Sequence, residues 1–189
     1  MGPEATTDPL VLTLDGKGIV MRTEHLREAT RKKAEASQPK LDGRLSKGEK
    51  KNRKRMATVA SVYSIEPFVR TAEEVVMELR RVKEKSKSKP RPRARSKRVW
   101  ASVEKSAKAV TREVFDEAER RDPERKRRWI CLVDGDKHQI ARVREEARRR
   151  GVEVVMVLDL MHVLEYVWKA AWCFFPEGDR DAEEWVWAR

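Results

Sequence analysis

The sequence predicts an α/β fold in which a mixed sheet is flanked by helices and interrupted by basic insertions. Three observations point there. Short runs rich in β-formers come early, at residues 10–21 and 57–65; helical patterns follow the later strand-like runs; and residues 129–158 read as strand, helix, strand, the repeating unit of parallel sheets.

Residues 1–9 form an N-terminal tail, and 10–160 form the core. Leu10 to Leu14 is a short strand, and Asp15-Gly16-Lys17-Gly18 followed by Ile19-Val20-Met21 reads as the turn and second arm of a hairpin. A basic insertion occupies 22–55, with Gly43 and Gly48 as breakers. A third strand follows, in which Val59, Ser61, Tyr63 and Ile65 share a face, ended by Pro67. Thr71 and Glu74 form a capping-box pair that opens a helix carrying Val75, Val76, Leu79 and Val82. Residues 83–98 have no core-forming stretch and two prolines, the composition of an extended basic linker. Val99–Val103 is a short strand, and Val110, Val114, Phe115 and Ala118 stripe an amphipathic helix that ends before Pro123. The strand Trp129–Val133, a helix from about His138 to Arg150 terminated by Gly151, and a strand from Val152 to Leu158 make a β-α-β unit of central, apolar strands. Residues 161–189 begin an incomplete helical insertion domain, whose first helix carries Val163, Leu164, Val167, Trp168, Ala171, Trp172 and Phe175 on one broad apolar face. At helical spacing these tryptophans are core residues before they are base-stacking platforms.

Of 189 residues, 39% are hydrophobic, enough for one domain with extensions. Residues 31–55 and 80–98 hold 22 of the 44 Lys and Arg but four of the 32 Asp and Glu, so the remainder of the chain is net acidic. Basicity gathered in two tracts points to a polyanion, and nucleic acid leads because each phosphate neutralised releases counterions. Lys50, Lys51, Arg53, Lys54 and Arg55 in the first tract and Arg91, Arg93 and Arg95 in the second are the candidate DNA contacts. The tracts lack the apolar face of an interfacial helix and no apolar run approaches about 20 residues, so a membrane partner is excluded. Cys131 and Cys173 lack metal-ligand spacing and read as small buried hydrophobes, which with the absence of a signal-peptide layout indicates a cytoplasmic protein.

Paired strands followed by helix, strand, helix and strand is the connectivity of a ribonuclease-H-like sheet. There, a carboxylate on the first strand meets one at the end of the fourth, the places of Asp15 and Asp134. Phosphoryl transfer uses such pairs because hard cations demand oxygen ligands and must hold the reacting oxygens in line. Both aspartates also precede glycine, and Asp-Gly is an ordinary turn dipeptide, so spacing alone leaves the structural alternative open.

Several segments carry a resemblance. Leu14-Asp15-Gly16-Lys17-Gly18-Ile19-Val20-Met21-Arg22, residues 47–59, Trp100–Glu104, Leu132–Gly135 and His162–Ala170 are similar, in consistent order, to segments of bacterial insertion-sequence DDE transposases of the Kra type. The resemblance implies DNA transposition by metal-dependent strand cleavage and transfer, with Mg²⁺ or Mn²⁺ on Asp15 and Asp134. It also implies a nucleoid-associated bacterial protein that self-associates in a transposition complex. Asp159-Leu160-Met161-His162 resembles the Asp-x-x-His signature of related transposases, making Asp159 and His162 further catalytic candidates, although Asp159 also suits a helix N-cap. The glutamate that completes the triad is expected downstream of Arg189, and Glu165, Glu183 and Glu184 are not assigned to it. The alternatives are a non-catalytic DNA-binding remnant of such an enzyme, or an RNA-associated structural protein in which both aspartates merely turn the chain.

Overall fold

The computed structural model describes residues 2–37, 41, 43–80 and 90–188. Strands β1 (Leu10–Val20), β2 (Lys54–Ser64), β3 (Arg95–Ser102), β4 (Trp129–Val133) and β5 (Val154–Leu158) form one open sheet in the order β3-β2-β1-β4-β5. The first three pair antiparallel; β4 runs parallel to β1, and β5 parallel to β4. Parallel pairing requires crossovers, and the helices α4 (Ala107–Arg121) and α5 (Lys137–Arg150) supply the last two connections. Helices α1 (Glu28–Ala36) and α2 (Lys47–Asn52) lie between β1 and β2, α3 (Ala72–Leu79) follows β2, and α6 (Leu160–Ala171) and α7 (Arg180–Trp187) end the chain. No helix among the described residues is long and apolar enough to cross a membrane.

One face of the sheet holds the core. Leu10, Leu12 and Leu14 alternate into it beside Ala60, Val62, Trp129, Cys131 and Val133, against Val110, Val114, Phe115 and Ala118 of α4 and Val143 of α5. Phe115 and Trp129 meet at a ring separation of 6.1 Å. On β2, Ala60 and Val62 enter the core, while the set Val59, Ser61 and Tyr63 occupies the other face, where Ser61 Oγ lies 2.6 Å from Thr13 Oγ1. Burial pushes the Cys131 thiol up to about 12, an inert group, whereas Cys173 is exposed, contrary to the expectation for it. A second, smaller cluster joins α6 to α7, with Leu164, Val167, Trp168 and Phe175 packed around Ala171, Ala182 and Val186.

The expected hairpin at Asp15–Gly18 does not form. β1 runs unbroken through it because β2 pairs with it along its whole length, from Leu10 opposite Ser64 to Val20 opposite Lys54. A tight hairpin turn needs positive φ, which neither Gly16 nor Gly18 has. These glycines serve close approach instead: a Cβ on Gly18 would stand 3.0 Å from Lys54 Cδ, and one on Gly16 would stand 3.3 Å from Met56 Cε.

The basic linker is shorter than its sequence suggests. Residues 83–89 lie outside the described residues, but Arg95–Arg98 already belong to β3, where Ser96 takes φ 49 beside a bulge opposite Val62 and Ser64. The N-terminal tail is also anchored. Glu4 accepts from Arg127 Nη1 at 3.1 Å and from Ser64 Oγ at 2.5 Å, while Arg127 Nε donates to Asp8 O at 2.8 Å. Beside it Arg121, fully buried, donates to Glu117 at 2.8 Å and to Ser96 O at 2.7 Å. This ion network closes the end of the sheet away from Asp15.

Candidate active site

The β1–β4 register pairs Thr13 with Leu132, so two residues further along each strand Asp15 stands beside Asp134. Leu14 and Val133 point into the core, which puts both aspartates on the alternate set with Val11, Thr13, Ile130 and Leu132. Asp15 is exposed and Asp134 half-buried. They line one cleft of about 230 Å³ together with Gly16, Thr58, Thr111 and Arg142. The carboxyl ends of parallel strands are where open α/β sheets bind ligands.

Asp134 is fixed by local geometry. Its Oδ1 accepts from Asp136 N at 2.9 Å, and Asp136 Oδ1 in turn caps α5 by accepting from His138 N at 2.8 Å. Between them Gly135 has φ 95, a conformation that favours glycine. Asp134-Gly135 is therefore a turn dipeptide as well as a carboxylate mount. Asp15, held in a continuous strand, is not a turn residue.

The residue that joins the end of β4 to the middle of β1 is Gln139, which belongs to no motif in the sequence. It is buried on α5, its Nε2 donates to Leu14 O, and its Oε1 accepts from Asp134 N at 3.4 Å. One side chain thus spans the backbone beside both aspartates. Its sequence signal is weak: Gln139, Val143 and Glu146 recur at i, i+4 and i+7, a polar residue opening the buried stripe of the helix. No family model, curated protein or solved structure matches the chain.

Asp159 and His162 sit one strand further out. Asp159 follows β5, its N donates to Val133 O at 2.8 Å, and it flanks Asp134 on the side away from Asp15. It caps α6, accepting from Met161 N at 2.9 Å, and His162 Nδ1 lies 3.2 Å from its Oδ2. Neither lines the cleft. Burial, and then the Asp159 charge, raise the Tyr63 phenol above its usual range. Among the described residues no group of three or more His, Cys, Asp and Glu is placed to hold a metal ion. Glu165 pairs with Lys169 at 3.8 Å and Glu183 with Arg80 at 3.9 Å, both away from the cleft.

The two basic tracts separate. Lys50 and Lys51 lie on α2, Arg53 caps it and reaches Thr23 Oγ1 at 3.1 Å, and Lys54 and Arg55 open β2 at the sheet end nearer the aspartates. Arg95 pairs with β2 at Ser64, the opposite end of an 11-residue strand, about 35 Å long at 3.3 Å per residue. There Arg91 Nε donates to Glu78 at 2.8 Å and Arg95 pairs with Asp8, while Arg93 is exposed. Charge in the second tract is partly consumed inside the protein.

Proposed function

We propose that this chain is the catalytic core of a DDE-type transposase, which cuts and joins DNA strands with Mg²⁺ or Mn²⁺ held by Asp15 and Asp134. The observation that carries this is the placing of two carboxylates side by side in one cleft, Asp134 just past the end of β4 and Asp15 at the point where β1 runs on without it. The strand order, with three antiparallel strands followed by two parallel ones, supports a ribonuclease-H-like sheet. The donor set suits a hard cation, since Mg²⁺ is commonly bound by one or two carboxylates with waters and substrate phosphates completing its shell. When bound, the cation supplies Lewis-acid polarisation of a phosphoryl oxygen. The chain's own part is positional. Asp15 and Asp134 present oxygens, Gln139 holds the two strands in register, and Arg142, which lines the cleft 3.9 Å from Asp136, faces an incoming phosphate. Self-association of copies, and residence with DNA in a bacterial cytoplasm, belong to the same proposal; the exposed Tyr166 and Phe174 supply apolar surface for the former.

One observation favours the second reading, a non-catalytic DNA-binding remnant: among the described residues no third acidic side chain, Asp136 and Asp159 included, is placed with the pair so that three could hold a metal ion. Nicking of supercoiled plasmid in Mn²⁺ separates the two. An enzyme nicks, and Asp15→Asn or Asp134→Asn lowers the rate about a hundredfold or more, the loss of several kcal/mol of transition-state stabilisation. Binding without nicking by the wild type leaves the remnant.

A further inference from the structure

β1 and β2 outrun their neighbours. β4 accompanies β1 only along Leu10–Thr13, and β3 accompanies β2 only from Thr58 onward, so Lys17–Val20 and Lys54–Ala57 pair with each other alone. The ladder extends one step further, with Met21 N donating to Arg53 O at 3.0 Å. The result is a two-stranded ribbon projecting beyond the sheet from the position of Asp15, with Ile19, Val20 and Met56 exposed on it.

Its two faces differ. Residues directly opposite in an antiparallel pair share a face, so Asp15 with Val59, Lys17 with Ala57 and Ile19 with Arg55 form one side; Gly16, Gly18, Lys54 and Met56 belong to the other. Lys17 and Arg55 therefore continue the face of Asp15, about 7 and 13 Å along the ribbon at 3.3 Å per residue. Among the described residues neither is paired with a carboxylate, in contrast to Arg91 and Arg95.

We infer that this ribbon is a DNA-backbone rail, on which Lys17 and Arg55 bind phosphates of a duplex that reaches Asp15 along its own face of the ribbon, the side opposite Gly16, Met56 and Thr58 of the cleft. This rests on the proposed function and adds Lys17, a residue outside both basic tracts, as a binding residue. A projecting two-stranded ribbon has dimensions that fit against a duplex groove, and cations along one face meet phosphates in a register fixed by the strand. The aspartates alone would repel DNA; adjacent cations on the same face offset that repulsion where the strand must approach.

The test is the salt dependence of binding of the full chain to a short fluorescent DNA duplex, without divalent cation. Removing a side chain that neutralises one phosphate lowers the magnitude of the slope of log K against log salt by about 0.9. Lys17→Ala and Arg55→Ala are each expected to lower it by that amount, Lys17→Arg to restore it, and Lys126→Ala, an exposed lysine beside Glu124, to leave it unchanged. Circular dichroism of each variant checks that the fold is kept. Slopes for Lys17→Ala and Arg55→Ala that equal the Lys126→Ala slope overturn the rail. If Mg²⁺ still binds at Asp15 in that case, the proposed function survives without it. Ribbon-dependent DNA binding by a protein that takes no Mg²⁺ upholds the rail and refutes the metal site.

Discussion

Two carboxylates brought side by side repel, and Gln139 is the side chain that holds their strands together. Gln139→Leu keeps the volume but removes both hydrogen bonds, leaving Leu14 O and Asp134 N without a partner. The expected cost is about 1–3 kcal/mol, the penalty for unsatisfied buried groups, read as a lower urea midpoint with unchanged slope. A shift within about 0.5 kcal/mol would show that the clamp contributes nothing beyond an ordinary surface substitution. Glu146 makes a second residue-scale prediction. A hydrogen bond from Arg149, against the cost of burial and helped by Arg150, holds its carboxyl down to about 2. Because the folded value is depressed below the ordinary 4.5, its contribution to stability is fully present above 4.5 and is lost as pH falls toward about 2. Glu146→Gln should therefore flatten the acid limb of the stability curve in that window, measured by urea unfolding against pH. An acid limb identical to wild type would contradict the ion network between α4 and α5.

Elements show where local sequence suffices and where it does not. Thr71 and Glu74 cap α3, Asp159 caps α6 and Gly151 ends α5, all legible because the signals lie within a few residues of the structure they make. β1 reads locally as a hairpin, but its turn-like Asp-Gly-Lys-Gly is overridden by β2, a partner more than 30 residues away that no local pattern announces. The start of β3 is hidden for a related reason: Arg95, Lys97 and Arg98 look like linker, yet an edge strand tolerates charge and is protected by it from pairing with other chains. The docking of residues 1–9 has no sequence signature, since Glu4, Ser64, Arg121 and Arg127 converge only after folding. That network predicts that Glu117→Ala, which takes the nearer carboxylate from the fully buried Arg121 and leaves it Glu4 at 3.5 Å and Ser96 O, costs about 1.5–3 kcal/mol in thermal or urea unfolding. Glu117 itself is held below the usual carboxylate range: burial opposes this, but Arg121 and Arg98 prevail.

Across the whole molecule the packing divides into a main core under the sheet and a small cluster joining α6 to α7. Few buried side chains support the second, and Tyr166, Trp172 and Phe174 remain exposed around it. Hydrogen exchange should accordingly protect the amides of β1 and β4 far more than those of residues 160–187; equal protection would mean the two clusters unfold as one. The adjacency of Asp15 and Asp134 is legible at this scale, because the ribonuclease-H-like connectivity expected for this order of elements sets the strands that carry them side by side. Its surroundings are not. Gln139 and the Lys17–Arg55 face depend on helix phase and strand register, which emerge only when the chain is folded. The central claim, that Asp15 and Asp134 together hold a divalent cation, is met most directly by calorimetric titration of Mn²⁺ into the wild type, Asp15→Asn and Asp134→Asn. One saturable site, weakened about tenfold or more in each variant, is the outcome predicted, since each loses a hard oxygen ligand; equal affinity in all three proteins would contradict it.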